Sequence, residues 1–339
     1  MHERCCDVLS LMDFYIGTYT RNTDSEGIYH LEISEERHRL SLASIADNPS
    51  WITRDKKRGV VYAVSEVNDG NATGGGVSVY QDNRGILDLI ESLPSEGDDP
   101  CHLCLQSDHL FATNYSSGSV VPYRVSDKGF LIKGERVNHE GSGPDPKRQE
   151  SAHAHSSMVV NDSLIVADLG MDQHMVYDLD LNRISEFVAP SGAGPRLMAA
   201  DRNHLYVICE LSNTIETYTK GTWEHLGSVS TLPGDFTGAT YTAHLQLSKD
   251  GRFLYGSNRG HDSVVVFSLE EGLPRPVQWV PSGGRHPRHF TLTEDESMLM
   301  IANRDDNNIV LYSRDAGSGL LTGLDLEIPV PAPVCIVQT

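Results

Sequence analysis

The sequence predicts an all-β fold: a seven-bladed β-propeller of four-stranded antiparallel blades, its ring closed by pairing of the N- and C-terminal strands. Three observations predict it. First, a strand pattern ending in Asn or Glu, followed by a polar turn and Val-x-x-Tyr/Phe, recurs at Tyr15, Tyr62, Phe111, Ile165, Tyr206, Tyr255 and Met300, at spacings of 41 to 54 residues. Strand-only repeats of ~40–50 residues are the mark of propeller blades, each of which buries its faces only against neighbours. Second, most repeats open on an extended segment after a Gly/Pro-rich loop. Third, the last such segment, Pro333-Val334-Cys335-Ile336-Val337, has no second strand of its own, whereas Phe14-Tyr15-Ile16 at the other end lacks a first.

Taken in order, the expected innermost strands begin around Trp51-Ile52, Pro100-Cys101, Ser151 to His155, Pro195-Arg196, Thr242-Ala243 and Pro287-Arg288. Turns such as Lys249-Asp250-Gly251 and Thr293-Glu294-Asp295 lead into the second strands, because Asp and Gly supply the backbone geometry of tight hairpins. Third strands follow, as in Ser263-Val264-Val265-Val266-Phe267. Pairing of residues 333–337 with Phe14-Tyr15-Ile16 would remove the exposed edges that a sheet must otherwise manage. Residues 1–13 read as a loose lead and 14–339 as a single propeller domain.

The formal charge is −20, from 47 acidic and 27 basic side chains, which disfavours nucleic acid and anionic lipid as partners. No apolar run approaches the ~18 residues of a membrane-spanning helix. The six cysteines are scattered rather than dense, so a reducing, cytoplasmic home is expected, and Cys5-Cys6 lacks a recognisable anchoring signal. Cys101-His102-Leu103-Cys104 has the look of half a zinc site, but on a strand positions three apart face opposite sides, and no second pair exists. Nothing in the sequence specifies an oligomer.

Topology points to the functional rim. Within a blade, the start of the first strand and the end of the second lie at the same mouth of the channel. Starts of first strands supply Ser151, His153, His155, Arg196, His244 and Arg288; ends of second strands supply Glu66, Asn114, Asp168, Glu210, Asn258, Arg259, Asn303 and Arg304. Guanidinium forks bind carboxylate or phosphate through two points, so a small anionic substrate is expected. His153 and His155, two apart on a strand, are expected to share a face with Ser151, and either suits general acid–base work near neutral pH. A His-x-His pair also invites a metal, with His244, Asp168 or Glu150 as third ligand, but nothing in the spacing demands one; no metal or cofactor is expected. Gly74-Gly75-Gly76 lacks the Lys-Ser/Thr of a phosphate loop, and no Gly-x-Ser-x-Gly elbow occurs.

Several stretches then carry a resemblance: Tyr15-Ile16-Gly17-Thr18-Tyr19, Arg148-Gln149-Glu150-Ser151-Ala152-His153-Ala154-His155, Ala167-Asp168-Leu169-Gly170, Gly194-Pro195-Arg196, Glu210-Leu211, Asp250 to Ser263, and Pro287-Arg288-His289-Phe290. Together they resemble the seven-bladed propeller lactonase family, which includes propeller-type 6-phosphogluconolactonases and carboxy-cis,cis-muconate cyclases. The resemblance implies a metal-independent site in the channel mouth made of a histidine, a glutamate and two arginines. The matching positions are His155 (or His153), Glu210, Arg196 and Arg259; His155 is preferred as the deeper of the two. This chain departs from similar members at Leu197, His244 and Arg304, where histidine, glutamate and glutamine are common.

The expected reaction is hydrolysis of 6-phosphogluconolactone. Arg196 or Arg259 would hold the phosphate; the other, with Asn258 or Asn303, would stabilise the oxyanion; His155, oriented by Glu210, would activate water. Arg148, Gln149 and Arg288 are further substrate contacts. The rival enzyme reading is muconate cyclisation, with the arginines on carboxylates. A non-catalytic binding scaffold would need aromatic anchors on one face, and Trp51, Trp223 and Trp279 fall at different points of their repeats.

Overall fold

The computed structural model describes residues 12–34, 37–68, 74–269 and 273–339. Seven antiparallel sheets follow one another around a ring, and no helix occurs among the described residues. The inner strands are Pro333–Gln338, Ile52–Asp55, Pro100–Gln106, Ala154–Val160, Pro195–Ala200, Tyr241–Leu247 and Pro287–Leu292. Six sheets have four strands; in the third blade the outermost position is split between Leu131–Lys133 and Val137–Asn138.

Closure is as expected. The last strand pairs antiparallel with Met12–Thr18, Tyr15 opposite Val337 and Ile16 opposite Ile336. The paired strand starts at Met12, so the expected lead ends before residue 12, and the remainder of it, residues 1–11 with Cys5 and Cys6, lies outside the described residues.

The core lies between blades. Phe14, Ile16 and Leu31 of the first blade pack on Met300, Ile309 and Leu311 of the seventh, all fully buried. The repeat tyrosines explain themselves here: each ring fills an interblade layer, and the hydroxyls of Tyr15, Tyr62 and Tyr255 reach the next blade's outer turn, whereas Tyr206 donates to Asp201 in its own blade. Tyr62 donates to Gly129 O at 3.0 Å and Tyr255 to Gly319 O at 2.8 Å. Both glycines have positive φ (86° and 71°), a conformation that costs glycine little.

One device recurs and positions the site. The ladder between first and second strands slips by a residue near the top of most inner strands: at Cys101, His155, Arg196, Ala243–His244 and Arg288, with a like shift beside Val334. A bulge leaves one residue unpaired and re-aims its side chain. Here it turns side chains from five of the blades onto one central void.

Candidate functional site

Cys101, His155, Arg196, Arg288 and Val334, all at these irregularities, line one small enclosed void with Trp51 and His289. Its volume is about 10 Å³, roughly the space for one water molecule. Above it lies the cluster that topology assembles from separate blades. Glu210, just past the strand His204–Cys209 and 4% exposed, is the hub. Its Oε2 accepts from Arg196 Nε at 2.8 Å and pairs with Arg259 Nη2 at 2.8 Å; its Oε1 accepts from Arg148 Nη2 at 2.6 Å. Arg196 is also fixed by donating to Ala243 O, and Arg259 by donating to Thr242 O at 2.6 Å. Arg288 stands 3.5 Å from Glu66 and 4.9 Å above the Tyr19 ring, whose hydroxyl donates to Glu66 at 2.8 Å.

Four guanidiniums thus face two carboxylates, inside a protein of net charge −20. The electrostatics divide the four: against burial, Glu210 raises Arg148, and Tyr19 with Glu66 raises Arg288, whereas the other two are lowered. Burial, then the neighbouring Arg259, push the Arg196 guanidinium down to about 9, and burial lowers Arg259 as well. Burial works against the Glu210 charge, yet Arg259 and Arg196 hold its carboxyl well below the ordinary range. Burial, then Arg196, keeps the His155 imidazole neutral far below its usual range.

Sequence reasoning placed Arg196, Glu210, Arg259, Arg148, Arg288 and His155 at one mouth, and the structure brings them together. It rearranges the rest. Glu210 does not orient His155: its oxygens are taken by arginines, and His155 Nδ1 lies 4.0 Å from Cys101 Sγ. His153 and His155 do not share a strand face, because the strand begins at Ala154 and bulges at His155. His153 instead stacks on Tyr115 at 4.6 Å, with Nδ1 3.2 Å from Tyr115 O and Nε2 3.3 Å from Glu150. Asp168 pairs with His139 at 2.6 Å and His244 lies against His289 at 3.9 Å, so neither joins His153 around a metal.

Asn258 and Asn303 are fully buried. Asn258 Nδ2 donates to Thr231 O at 3.1 Å and Asn303 Nδ2 to Ser282 O at 2.9 Å, as Asn114 does to Ser95 O at 3.0 Å. Each carboxamide ties its blade to the loop leaving the preceding one. Gln149 is likewise internal, donating to Leu169 O and Asp172 Oδ1 at 2.8 and 2.7 Å. In this structure the amide nitrogens of all three are engaged by backbone or side-chain oxygens of the scaffold.

The sequence reading missed the aromatic walls. Tyr115 accepts from Arg148 at 3.3 Å and sets its ring edge to face against His155 at 5.6 Å; Tyr241 lies under Arg148 at 5.6 Å. It also gave no role to His286, whose Nε2 is buried without a partner and whose imidazole is held down to about 2 by burial, Arg259, Arg304, Arg288 and Arg196. Beside the cup, across Tyr19, a hollow of about 720 Å³ is lined by Arg21, Asn48, Arg285, Arg304 and Asp305.

Burial also holds His102, His174 and His289 down to about 3. Unfolded, each binds a proton near pH 6.5; folded, none does until about pH 3. Over that window the unfolded state carries more protons, so stability falls as pH falls, by up to ~1.4 kcal/mol per pH unit for each group. Urea melts from pH 7 to 4.5 are expected to show a steadily falling midpoint; a flat profile would contradict the buried neutral imidazoles.

A closed seven-bladed ring with an arginine cluster at one mouth defines a propeller with a basic site. The chain belongs to the lactonase family: the family model "Lactonase, 7-bladed beta-propeller" matches residues 13–338. It is 34% identical to the 6-phosphogluconolactonase of Bacillus subtilis over 95% of this chain and 97% of that protein. Among solved structures it is similar to the Pseudomonas aeruginosa periplasmic gluconolactonase, PpgL, with TM-score 0.88, 27% identity and coverage of 97% and 99% of the two chains. It is also similar to a Lactobacillus plantarum protein, with TM-score 0.90, 29% identity and coverage of 97% and 100%. The chain is thus a hydrolase of the lactonase type, acting on a small lactone. Among the described residues, no helix is long and apolar enough to cross a membrane.

Proposed function

We propose that the cup hydrolyses 6-phosphogluconolactone to 6-phosphogluconate in the cytoplasm. The observation that carries this reading is the excess of guanidinium over carboxylate on the channel axis, most of it buried. The B. subtilis relative is named for the phosphorylated lactone and the P. aeruginosa structure for gluconolactone. Four arginines are more than an uncharged lactone needs, and a phosphate would relieve the mutual repulsion that adds to burial in lowering Arg196 and Arg259.

Arg288 and Arg259 are suited to the phosphate, and Arg196, held rigidly by Glu210 and Ala243 O, to the oxyanion that forms when water adds to the ring carbonyl. Water attack also needs a proton acceptor. His155 is neutral and available for that, but beside Arg196 it is a weak base. Arrival of a phosphate dianion offsets the arginine field and raises its basicity, so the substrate sharpens its own catalyst. The proton taken from water then passes to the ring oxygen as the C–O bond breaks.

Purified protein is expected to open 6-phosphogluconolactone well above the spontaneous rate and faster than gluconolactone. Arg196→Ala should lose ~100- to 1000-fold in turnover and His155→Ala ~100-fold or more. Because the His155 shift is set by burial and Arg196, the free enzyme should add no fall of its own to kcat/KM through pH 6.5 beyond that of the substrate phosphate, whose second ionisation lies near ~6. Absence of turnover above the uncatalysed rate would refute the reading, and turnover of a carboxylated muconate instead would transfer the cup to cyclisation.

A further inference from the structure

A second cluster of ligating side chains lies at the opposite mouth of the ring. Asp13 and Glu32 are direct cross-strand partners, and Tyr15 and His30 are the next such pair along the same ladder. Since alternate residues share a face, all four side chains project to one side of the first blade. One ligand atom from each of Asp13, His30 and Glu32 falls within 4.8 Å of the others. Asp13 lies six residues before Tyr19, roughly 20 Å along an extended strand, so the cluster is separate from the cup.

Two features mark this face as built to receive something positive. Like charges directly opposite one another in a ladder repel, yet neither the Asp13 nor the Glu32 carboxylate accepts a hydrogen bond from a described residue. Their ion-pair contacts are His30 itself at 3.4 Å and Arg39 at 3.5 Å, whose side chain is 76% exposed. His30, by contrast, is fixed. Its side chain is 9% exposed, its ring tilts against Tyr15 at 5.6 Å, and its Nδ1 edge is pressed on Gly85, where a Cβ would approach to 2.6 Å. Gly85 has φ 96° and donates its N–H to Tyr15 Oη at 3.0 Å, while Tyr15 donates to Asp82 at 2.6 Å. Nothing outside the cluster hydrogen-bonds the imidazole among the described residues, and its Nε2 edge faces Asp13. The cluster opens into a hollow of about 330 Å³, whose wall also carries Arg84 and Arg54, the latter paired with Asp82 at 2.9 Å.

We propose that Asp13, His30 and Glu32 form a zinc-type divalent cation site on the first blade. One imidazole nitrogen and two carboxylates are a donor set for Zn²⁺, with an open position for water; the carboxylates, each about a third exposed, can close the remaining separation. The cation would clamp Met12–Thr18, the strand that receives the closing strand Pro333–Gln338, onto Gly27–Ser34. Its role is to hold the ring shut, by preferential binding to the folded state, and it takes no part in the reaction.

The test uses untagged, chelator-stripped protein titrated with Zn²⁺ by calorimetry, with melting followed in parallel. One Zn²⁺ per chain and a rise in Tm are expected. Asp13→Asn and Glu32→Gln should abolish both responses while leaving the metal-free Tm unchanged or higher, since each removes one of two opposed charges; a lost response then reports the site, not the fold. No binding by the natural protein, a response that persists in both variants, or an equal response to Mg²⁺ at the same concentration would overturn the assignment. The outcome is independent of lactone turnover.

Discussion

Glu210→Gln is expected to reduce lactone turnover by ~100-fold or more and to destabilise the fold by about 3–5 kcal/mol. Both effects follow from one position. Glu210 is the shared counter-ion of Arg148, Arg196 and Arg259, and Arg196 is 3% exposed. A neutral amide of nearly the same shape leaves three guanidiniums close together with no charge between them, and removing one partner of a buried ion pair exposes the full desolvation cost of the other. Arg196 would be free to move from the position proposed for the oxyanion. Urea unfolding and steady-state kinetics on the variant measure the two losses; unchanged stability would mean that water, not Glu210, compensates the arginines.

Truncation after Pro331 is expected to abolish cooperative folding. The deleted strand supplies Val334, Cys335 and Ile336, each 2% exposed or less, and its backbone pairs along Met12–Thr18. Burial of each such side chain is worth ~1.5–3 kcal/mol, and a domain's whole margin is about 5–15 kcal/mol. The loss is compounded because Phe14 and Ile16 lose cover beside the interface with the seventh blade, and Met12–Thr18 becomes an unpaired edge. Circular dichroism melts and size-exclusion chromatography read the result. A truncated chain that melts at the natural temperature would contradict ring closure as a stability element.

How much of this was legible beforehand depended on the kind of signal. The blade repeat was legible because Tyr15, Tyr62, Tyr206 and Tyr255 fill equivalent places in successive interblade clusters, and packing of that kind imposes residue type at fixed spacing. The rim was legible because antiparallel pairing dictates which strand ends share a mouth. The bulges were not, since the starts of inner strands such as Pro195–Ala200 are buried on both faces and carry no polar–apolar alternation for an extra residue to interrupt; the shared face expected for His153 and His155 failed there. The backbone ties of Asn258 and Asn303 were hidden for a related reason. A carboxamide at the end of a second strand reads alike whether it faces the channel or the loop beside it, although its recurrence at Asn114 was a hint of a structural tie. Glu210 was correctly placed but given the wrong partner, because three arginines outcompete one neutral imidazole for a buried carboxylate.

The most direct measurement is a crystal structure of the protein soaked with 6-phosphogluconate. The product's phosphate is predicted within hydrogen-bonding distance of Arg259 and Arg288, and its carboxylate beside Arg196 and His155. Product bound at the opposite rim, or an arginine cluster that keeps its ion pairs and admits no anion at saturating concentration, would contradict the account.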